Sequence, residues 1–209
     1  MKTFTLQKNK GFSLIEIMVS LAVFSIVVLV AAGALLSIID GSRKTQALKS
    51  VVNNLNFALE DMTRNLRVGG HFNCDTAGNP VNPALTHDCE GNQVTFDTGK
   101  RLPNSLDPAN PITVYGAYRF VTPDPNSSVC PEGCIEATTD YLNPAKPFVR
   151  ITAPEVHLTK VSFRVTGSSN SDTLQPKIVM IVQGYAGVNL RSKTYFNLQT
   201  TITQRIFDL

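Results

Sequence analysis

The chain has 209 residues, of which 43% are apolar and 17% are charged, a composition that is compatible with a folded domain of ordinary size. The formal net charge of +3 comes from three lysines before Gly11; without them 16 basic and 16 acidic side chains remain. This balance does not favour a nucleic-acid partner, because such a partner usually requires an excess of basic side chains. The sequence contains no HExxH, GxSxG, Walker or GxGxxG pattern, so we expect neither an enzyme nor a cofactor.

The chain begins with a basic leader that is followed by a long apolar run. Residues 1–11, MKTFTLQKNKG, end in glycine, and the 23 residues from Ile17 to Ile39 carry no charge. As a helix this run covers ~34 Å, enough to cross a ~30 Å hydrocarbon core. A secretory signal is cleaved after a shorter apolar core, whereas Gly11 lies before this one. Glu16 is unfavourable next to such a run, which indicates a function for its carboxylate.

The segment KGFSLIE, residues 10–16, resembles the class III signal of type IV pilins and type II secretion pseudopilins. The resemblance implies that a prepilin peptidase cuts between Gly11 and Phe12 and methylates the new amino group of Phe12. It also implies assembly with other pilin subunits through an inner-membrane platform. The protein would then be a single-pass inner-membrane protein with its C-terminal domain outside the cytoplasm, and later part of a periplasmic pseudopilus or a surface pilus. The alternative is an uncleaved anchor whose Glu16 side chain reaches the membrane surface.

Within a packed filament, Glu16 would be surrounded by apolar helices. We expect the Phe12 ammonium of a neighbouring subunit to neutralise it and so to set the axial register, because a buried charge without a partner is strongly destabilising. Many members of the family have a helix-breaking proline in this region. This chain has none between Gly11 and Asn79, and Gly33 lies in the middle of the apolar run.

The helix is predicted to continue through residues 40–68 with one apolar face, and Gly69-Gly70 is a stop signal. Such a face packs on a globular domain, whereas the alternative, a coiled coil, needs more heptads. Residues 58–70, ALEDMTRNLRVGG, resemble the helix end of J-type pseudopilins and W-type minor pilins. The apolar residues recur at spacings of three and four: Leu48, Val51 or Val52, Leu55, Leu59, Met62 and Leu66.

Residues 69–209 are predicted to form an extracytoplasmic antiparallel β domain, which gives a pilin-like α+β fold in which the sheet covers the apolar face of the helix. Residues 69–92 and 98–111, rich in Gly, Asn, Asp and Pro, are predicted loops. The last strand is expected to break or bulge midway, and its FNLQTTITQR segment resembles the terminal strand of J- and W-type subunits. The predicted strands are Gln93–Phe96, Ile112–Val121, Phe148–Ile151, Val156–Val165, Lys177–Tyr185 and Thr194–Phe207.

The chain has four cysteines, all beyond the apolar run: Cys74, Cys89, Cys130 and Cys134. An even number in an exported domain predicts disulfides. Three pairings are possible, and the local one, Cys74–Cys89 with Cys130–Cys134, is favoured because Pro131 and Gly133 bend the chain between the last two. The alternative is a zinc site that adds His71 or His87 to the first two cysteines, although the spacing matches no common zinc ribbon.

These observations favour a structural subunit of a filament, and a minor one. The second class is a pilus-borne binding module for DNA uptake or adhesion. Calcium binding by loop carboxylates is a further alternative, but their spacing is unlike that of an EF-hand: Asp97, Asp107, Asp124 and Asp140. His157 is expected on a sheet surface, and Lys100-Arg101 in a solvated loop.

Overall fold

The structure is a computed structural model that describes residues 11–75, 86–104, 107, 109–169, 174–187 and 193–205. It divides into a first unit that ends at Arg43 and a second unit that begins at Lys44. One helix, α1, extends over Leu14–Val68 and passes Gly33 without interruption. The predicted long helix is therefore confirmed, and the predicted leader before Gly11 lies outside the described residues.

The second half of α1 is amphipathic, as the spacing of its apolar residues predicts. The helix ends where Gly69 donates its N–H to the carbonyl oxygen of Asn65 at 2.9 Å. A Cβ on Gly69 would lie 2.7 Å from the Phe96 ring and 3.1 Å from the Asp97 carbonyl oxygen, so this close approach requires glycine. The buried residues of the helix are spaced by four, three, four and four positions: Val51, Leu55, Ala58, Met62 and Leu66.

In the described residues α1 is followed by nine strands in two sheets, and every strand pair is antiparallel. One sheet has the order β1-β3-β4-β5-β6 and the other the order β2-β7-β8-β9. This arrangement confirms the predicted α+β class, with two sheets in place of one. The strands are β1 (Gly70–Asp75), β2 (Cys89–Gly91), β3 (Gln93–Leu102), β4 (Ile112–Val121), β5 (Cys134–Thr138), β6 (Val149–Arg150), β7 (His157–Thr166), β8 (Lys177–Ala186) and β9 (Thr194–Thr203).

Three strands were not predicted, and two predicted loops were partly wrong. Strands β1 and β2 lie within residues 69–92, β3 continues to Leu102, and β5 follows directly after the CPEGC turn. Polar and glycine-rich segments have little strand propensity of their own, so pairing with neighbouring strands decides their conformation. The expected break in the last strand is also wrong, because β9 pairs with β8 without a shift over ten residue pairs.

Both disulfides have the favoured local pairing. Cys74 of β1 is bonded to Cys89 of β2 with a Cα–Cα distance of 5.7 Å, so this bond joins one sheet to the other. The bond between Cys130 and Cys134 closes a short turn in which the Gly133 N–H donates to the Cys130 carbonyl oxygen at 3.3 Å. The zinc alternative is therefore wrong, since both of its thiols are in a disulfide.

Asp97, predicted to lie in or near a loop, belongs to β3, and its side chain is buried. Its carboxylate accepts hydrogen bonds of 2.8 Å from Nη1 and Nη2 of Arg101 and from the N–H of Gly99. Burial alone would raise the pKa of Asp97, but these bonds, with the charges of Arg101 and His71, hold that pKa below its usual value of 3.8. Arg101, expected in a solvated loop, thus neutralises a buried acid.

Candidate processing and assembly site

The first turn of α1 is organised by Ser13 and Glu16. The N–H of Glu16 donates to Oγ of Ser13 at 3.3 Å, and the N–H of Ile17 donates to the carbonyl oxygen of Ser13, also at 3.3 Å. Ser13 is therefore the N-cap, a role in which serine stabilises a helix by about 1 kcal/mol relative to alanine. Glu16 is in the first turn, where the N-terminal end of the helix dipole favours a negative charge.

Ser13 caps the helix that carries Glu16, and it was not among the predicted site residues. The signal was present, because Ser-x-x-Glu before an apolar run is the pattern of a capping box. By sequence alone, Glu16 is an unfavourable charge next to an apolar run. The structure places it at the third position of the helix, where a carboxylate is favourable to the exposed N–H groups.

The residues of the predicted cleavage site precede the helix and are accessible. Phe12 has 78% of its surface exposed, and nothing lies within 4 Å of a Cβ built on Gly11. Glu16 is also exposed and takes part in none of the ion pairs found among the described residues. A peptidase could reach the bond between Gly11 and Phe12, and a charged group of another molecule could reach Glu16.

The apolar part of α1 exposes its side chains in every direction. From Leu14 to Ile39 its large apolar side chains are between 38% and 79% exposed. By length and composition, this part of the helix is long and apolar enough to cross a membrane. A helix that is apolar all round requires lipid or other helices around it, since water would leave that whole surface unfavourably hydrated.

Two of the three serines in the apolar run donate their hydroxyl groups to the helix itself. Oγ of Ser20 donates to the carbonyl oxygen of Glu16 at 2.7 Å, and Oγ of Ser25 donates to that of Leu21 at 2.8 Å. Such bonds to the preceding turn remove the free donor that a hydroxyl would otherwise bring into an apolar environment. Glu16 is thus the one residue between Leu14 and Ile39 whose side chain carries a charge.

Comparison with known families identifies the first part of the chain. Residues 6–32 match the family model of the prokaryotic N-terminal methylation motif, which supports a type IV pilin-like prepilin. The motif implies processing by a prepilin peptidase and assembly with other pilin subunits. No curated protein and no solved structure matches the chain. The likeness to J-type pseudopilins or W-type minor pilins therefore stays a prediction.

Proposed function

We propose that this chain is a minor structural subunit of a type IV pilus or of a type II secretion pseudopilus. The supporting observation is that the methylation motif overlaps the start of a helix whose apolar side chains are exposed on all sides in the single chain. In this proposal residues 1–11 are the leader and residues 12–39 cross the inner membrane. Residues 40–68 continue the helix, and residues 69–209 form the extracytoplasmic domain.

Processing prepares the end of the helix for assembly. Cleavage between Gly11 and Phe12 removes the three leader lysines and creates an ammonium group four residues before Glu16. The peptidase then methylates that amine, and the charge remains. The mature chain has equal numbers of basic and acidic side chains, so the excess positive charge of the precursor lies entirely in the leader that is removed.

Assembly exchanges lipid for helices of other subunits. Among the described residues of the first unit, nothing covers the apolar surface of residues 14–39, so lipid and neighbouring helices can each satisfy it. A carboxylate near the membrane surface can remain hydrated, but within a bundle of helices it requires a partner. The Phe12 ammonium of a neighbouring subunit would supply that partner and fix the axial offset between the two subunits.

The assignment as a minor subunit rests on the length of the chain, its two disulfides and the J- and W-like segments at residues 58–70 and 196–205. It is tested by the abundance of the chain relative to other subunits in purified filaments. A chain that makes up most of the filament would overturn the minor role but not the membership.

Substitution of Gly11 tests the processing step. We expect Gly11→Ala to block cleavage, so that mass spectrometry finds the full-length precursor. Gly41→Ala is the matched control, because Gly41 is also exposed and has nothing within 4 Å of a built Cβ. Its product should begin at methylated Phe12. A mature Phe12 terminus in Gly11→Ala, or an uncleaved unsubstituted chain in its own host, would contradict the proposal.

A further inference from the structure

The two sheets have four edge strands among the described residues, and three of them have features that oppose pairing with another chain. Strand β1 has an irregular register between Gly70 and Asn73 and is tied by its disulfide to β2. Strand β2 has only three residues and β6 only two. Bulges and very short edge strands are common means of preventing a sheet from adding a foreign strand.

The fourth edge strand, β9, has none of these features. It is ten residues long, TYFNLQTTIT, and contains neither a charged residue nor a proline. Its register with β8 is continuous from Thr194 to Thr203, so no bulge turns the edge away. Charges, prolines and bulges are the usual protection of a long edge strand, and β9 lacks all three.

A groove lies beside β9, between this strand and the second half of α1. It has a volume of about 210 Å³ and opens to solvent. The core-facing side chains of β9 are only half-buried where the groove runs, whereas Met180 and Val182 of β8 are fully buried. The residues that line it are Asn56, Leu59, Met180, Val182, Leu198, Gln199 and Thr200.

We propose that the free edge of β9, from Tyr195 to Thr203, accepts an extended strand from a different subunit of the same filament. This inference rests on the proposed function. Backbone groups of the incoming strand pair with the edge, and one of its apolar side chains enters the groove beside Leu198 and Thr200. The side chain that enters the groove is uncharged, because none of the residues that line the groove carries a charge.

The structure argues against antiparallel pairing with β9 of a second copy. The N–H of Arg205 donates to the carbonyl oxygen of Arg67, and Asn56 lies across the groove from Leu198, so α1 and β9 run in the same direction. Antiparallel pairing of two β9 strands would reverse the second half of one α1 relative to the other. Lys44 of the two copies would then lie at opposite ends, although both chains continue from there into the same membrane.

Parallel pairing of two β9 strands fails for a different reason. Two identical edges can pair in parallel only if one copy is rotated by half a turn about the strand direction. The solvent-facing side of its β9 would then lie on the same side of the joined sheet as the groove of the first copy. That face presents the exposed polar side chains of Asn197 and Gln199, which would meet Leu59 and Met180 without satisfying their own hydrogen bonds. The remaining edges of a second copy have two, three or six residues among those described, too few to match β9.

Photo-crosslinking of the full chain in its own host tests the proposal. A photoreactive p-benzoylphenylalanine at Thr201, which is exposed on β9, is compared with the same residue at Arg164, which is exposed on β7 and is paired on both sides, with Glu90 of β2 and Val179 of β8. We expect the Thr201 position to form an adduct with another chain that carries a prepilin signal, and the crosslinked peptide to come from an extended segment. The Arg164 position should not form this adduct, because both of its neighbouring strands belong to the same chain.

Two proline variants test whether the adduct depends on backbone hydrogen bonds at the free edge of β9. Consecutive amides of an antiparallel edge strand point alternately toward its neighbour and away from it. Of Gln199→Pro and Thr200→Pro, one therefore interrupts pairing with β8 and the other only the free edge. We expect the variant that changes only the free edge to remain processed and disulfide-bonded. It should reduce the yield of the Thr201 adduct about tenfold.

The outcomes separate this proposal from the proposed function. An adduct of two identical chains would overturn it, as would the absence of an adduct when the chain is present in purified filaments. An adduct that persists in a folded proline variant would overturn it as well. Absence of the processed chain from filaments would instead overturn the proposed function, and this inference with it.

Discussion

Nδ2 of Asn65, in the last turns of α1, donates a hydrogen bond of 2.7 Å to the phenolic oxygen of Tyr118 in β4. The same hydroxyl lies 3.4 Å from Oδ2 of Asp61 and donates to it. Burial of the ring raises the pKa of Tyr118 well above its ordinary value, and the negative charge of Asp61 adds to that increase. Tyr118 therefore stays neutral and attaches the second half of α1 to the larger sheet.

Removal of this hydroxyl should weaken the attachment. We expect Tyr118→Phe to lower the free energy of unfolding by about 1 kcal/mol, since Asn65 keeps a bond of 3.2 Å to Asp61 and is not left unpaired. Urea unfolding of the full chain in mild detergent, followed by circular dichroism, would measure it, because the chain has no tryptophan. Tyr195→Phe, at a residue that is 72% exposed, is the control. Equal stability of the two variants would refute the role of Tyr118.

The two disulfides should contribute unequally to stability. Cys74–Cys89 spans 15 positions and joins the two sheets, whereas Cys130–Cys134 spans four. Closing the longer loop restricts the unfolded chain more, by about 3 kcal/mol for a loop of ~15 residues. We expect the double variant Cys74→Ala/Cys89→Ala to lose more stability than Cys130→Ala/Cys134→Ala in the same urea titration. The reverse order would show that what each disulfide contributes to the folded state outweighs the difference in loop-closure entropy between the two unfolded loops.

Asp97 should make the second unit sensitive to acid. Its pKa is lower in the folded state than the ordinary 3.8, so its stabilisation is present above pH 3.8 and is lost as pH falls through the folded pKa. We expect Asp97→Asn to be less stable than the unsubstituted chain at pH 6, with a smaller further loss below pH 4. Glu155→Gln, at an exposed position, is the control and should keep the original pH dependence. Thermal unfolding at pH 2.5 to 6 would show whether the acid-dependent part disappears.

Glu16 should matter for assembly rather than for insertion. Glu16→Ala removes an acid from the first turn, next to the apolar run of the helix. We therefore expect the variant to stay in the membrane fraction and to be processed at Phe12 as the unsubstituted chain is. If the proposed charge pair forms, incorporation into filaments should fall strongly, because the Phe12 ammonium of the neighbouring subunit would lose its partner. Asp40→Ala, an exposed acid beyond the other end of the apolar run, is the matched control. Normal incorporation of Glu16→Ala into filaments would contradict the proposed role of Glu16 in setting the axial register.

Local features of the sequence were sufficient for the first part of the chain. The basic leader, Gly11, Phe12 and Glu16 form a contiguous motif, and the apolar run and the stripe from Val51 to Leu66 repeat at helical spacing. Each of these signals depends on residues within a few turns of one another. The long helix and the methylation motif were therefore predictable without tertiary information.

The β strands were predictable only where their own residues favour extended structure. Strands β4, β7 and β8 are rich in β-branched and aromatic residues, and their predicted bounds are correct to within one residue. Strands β1 and β2 have sequences typical of loops, and they become strands because β3 and β7 pair with them and a disulfide joins them. Pairing partners that lie far away in sequence leave no local signal.

The sequence by itself determined the methylation motif, the apolar helix with its single carboxylate and the amphipathic continuation, because these follow from periodicity and from a short contiguous motif. Only the tertiary structure decided that the strands form two sheets, that Arg101 neutralises Asp97 and that β9 ends its sheet with an unprotected edge. These features depend on which strands become neighbours, and burial and backbone pairing across the whole second unit determine that choice.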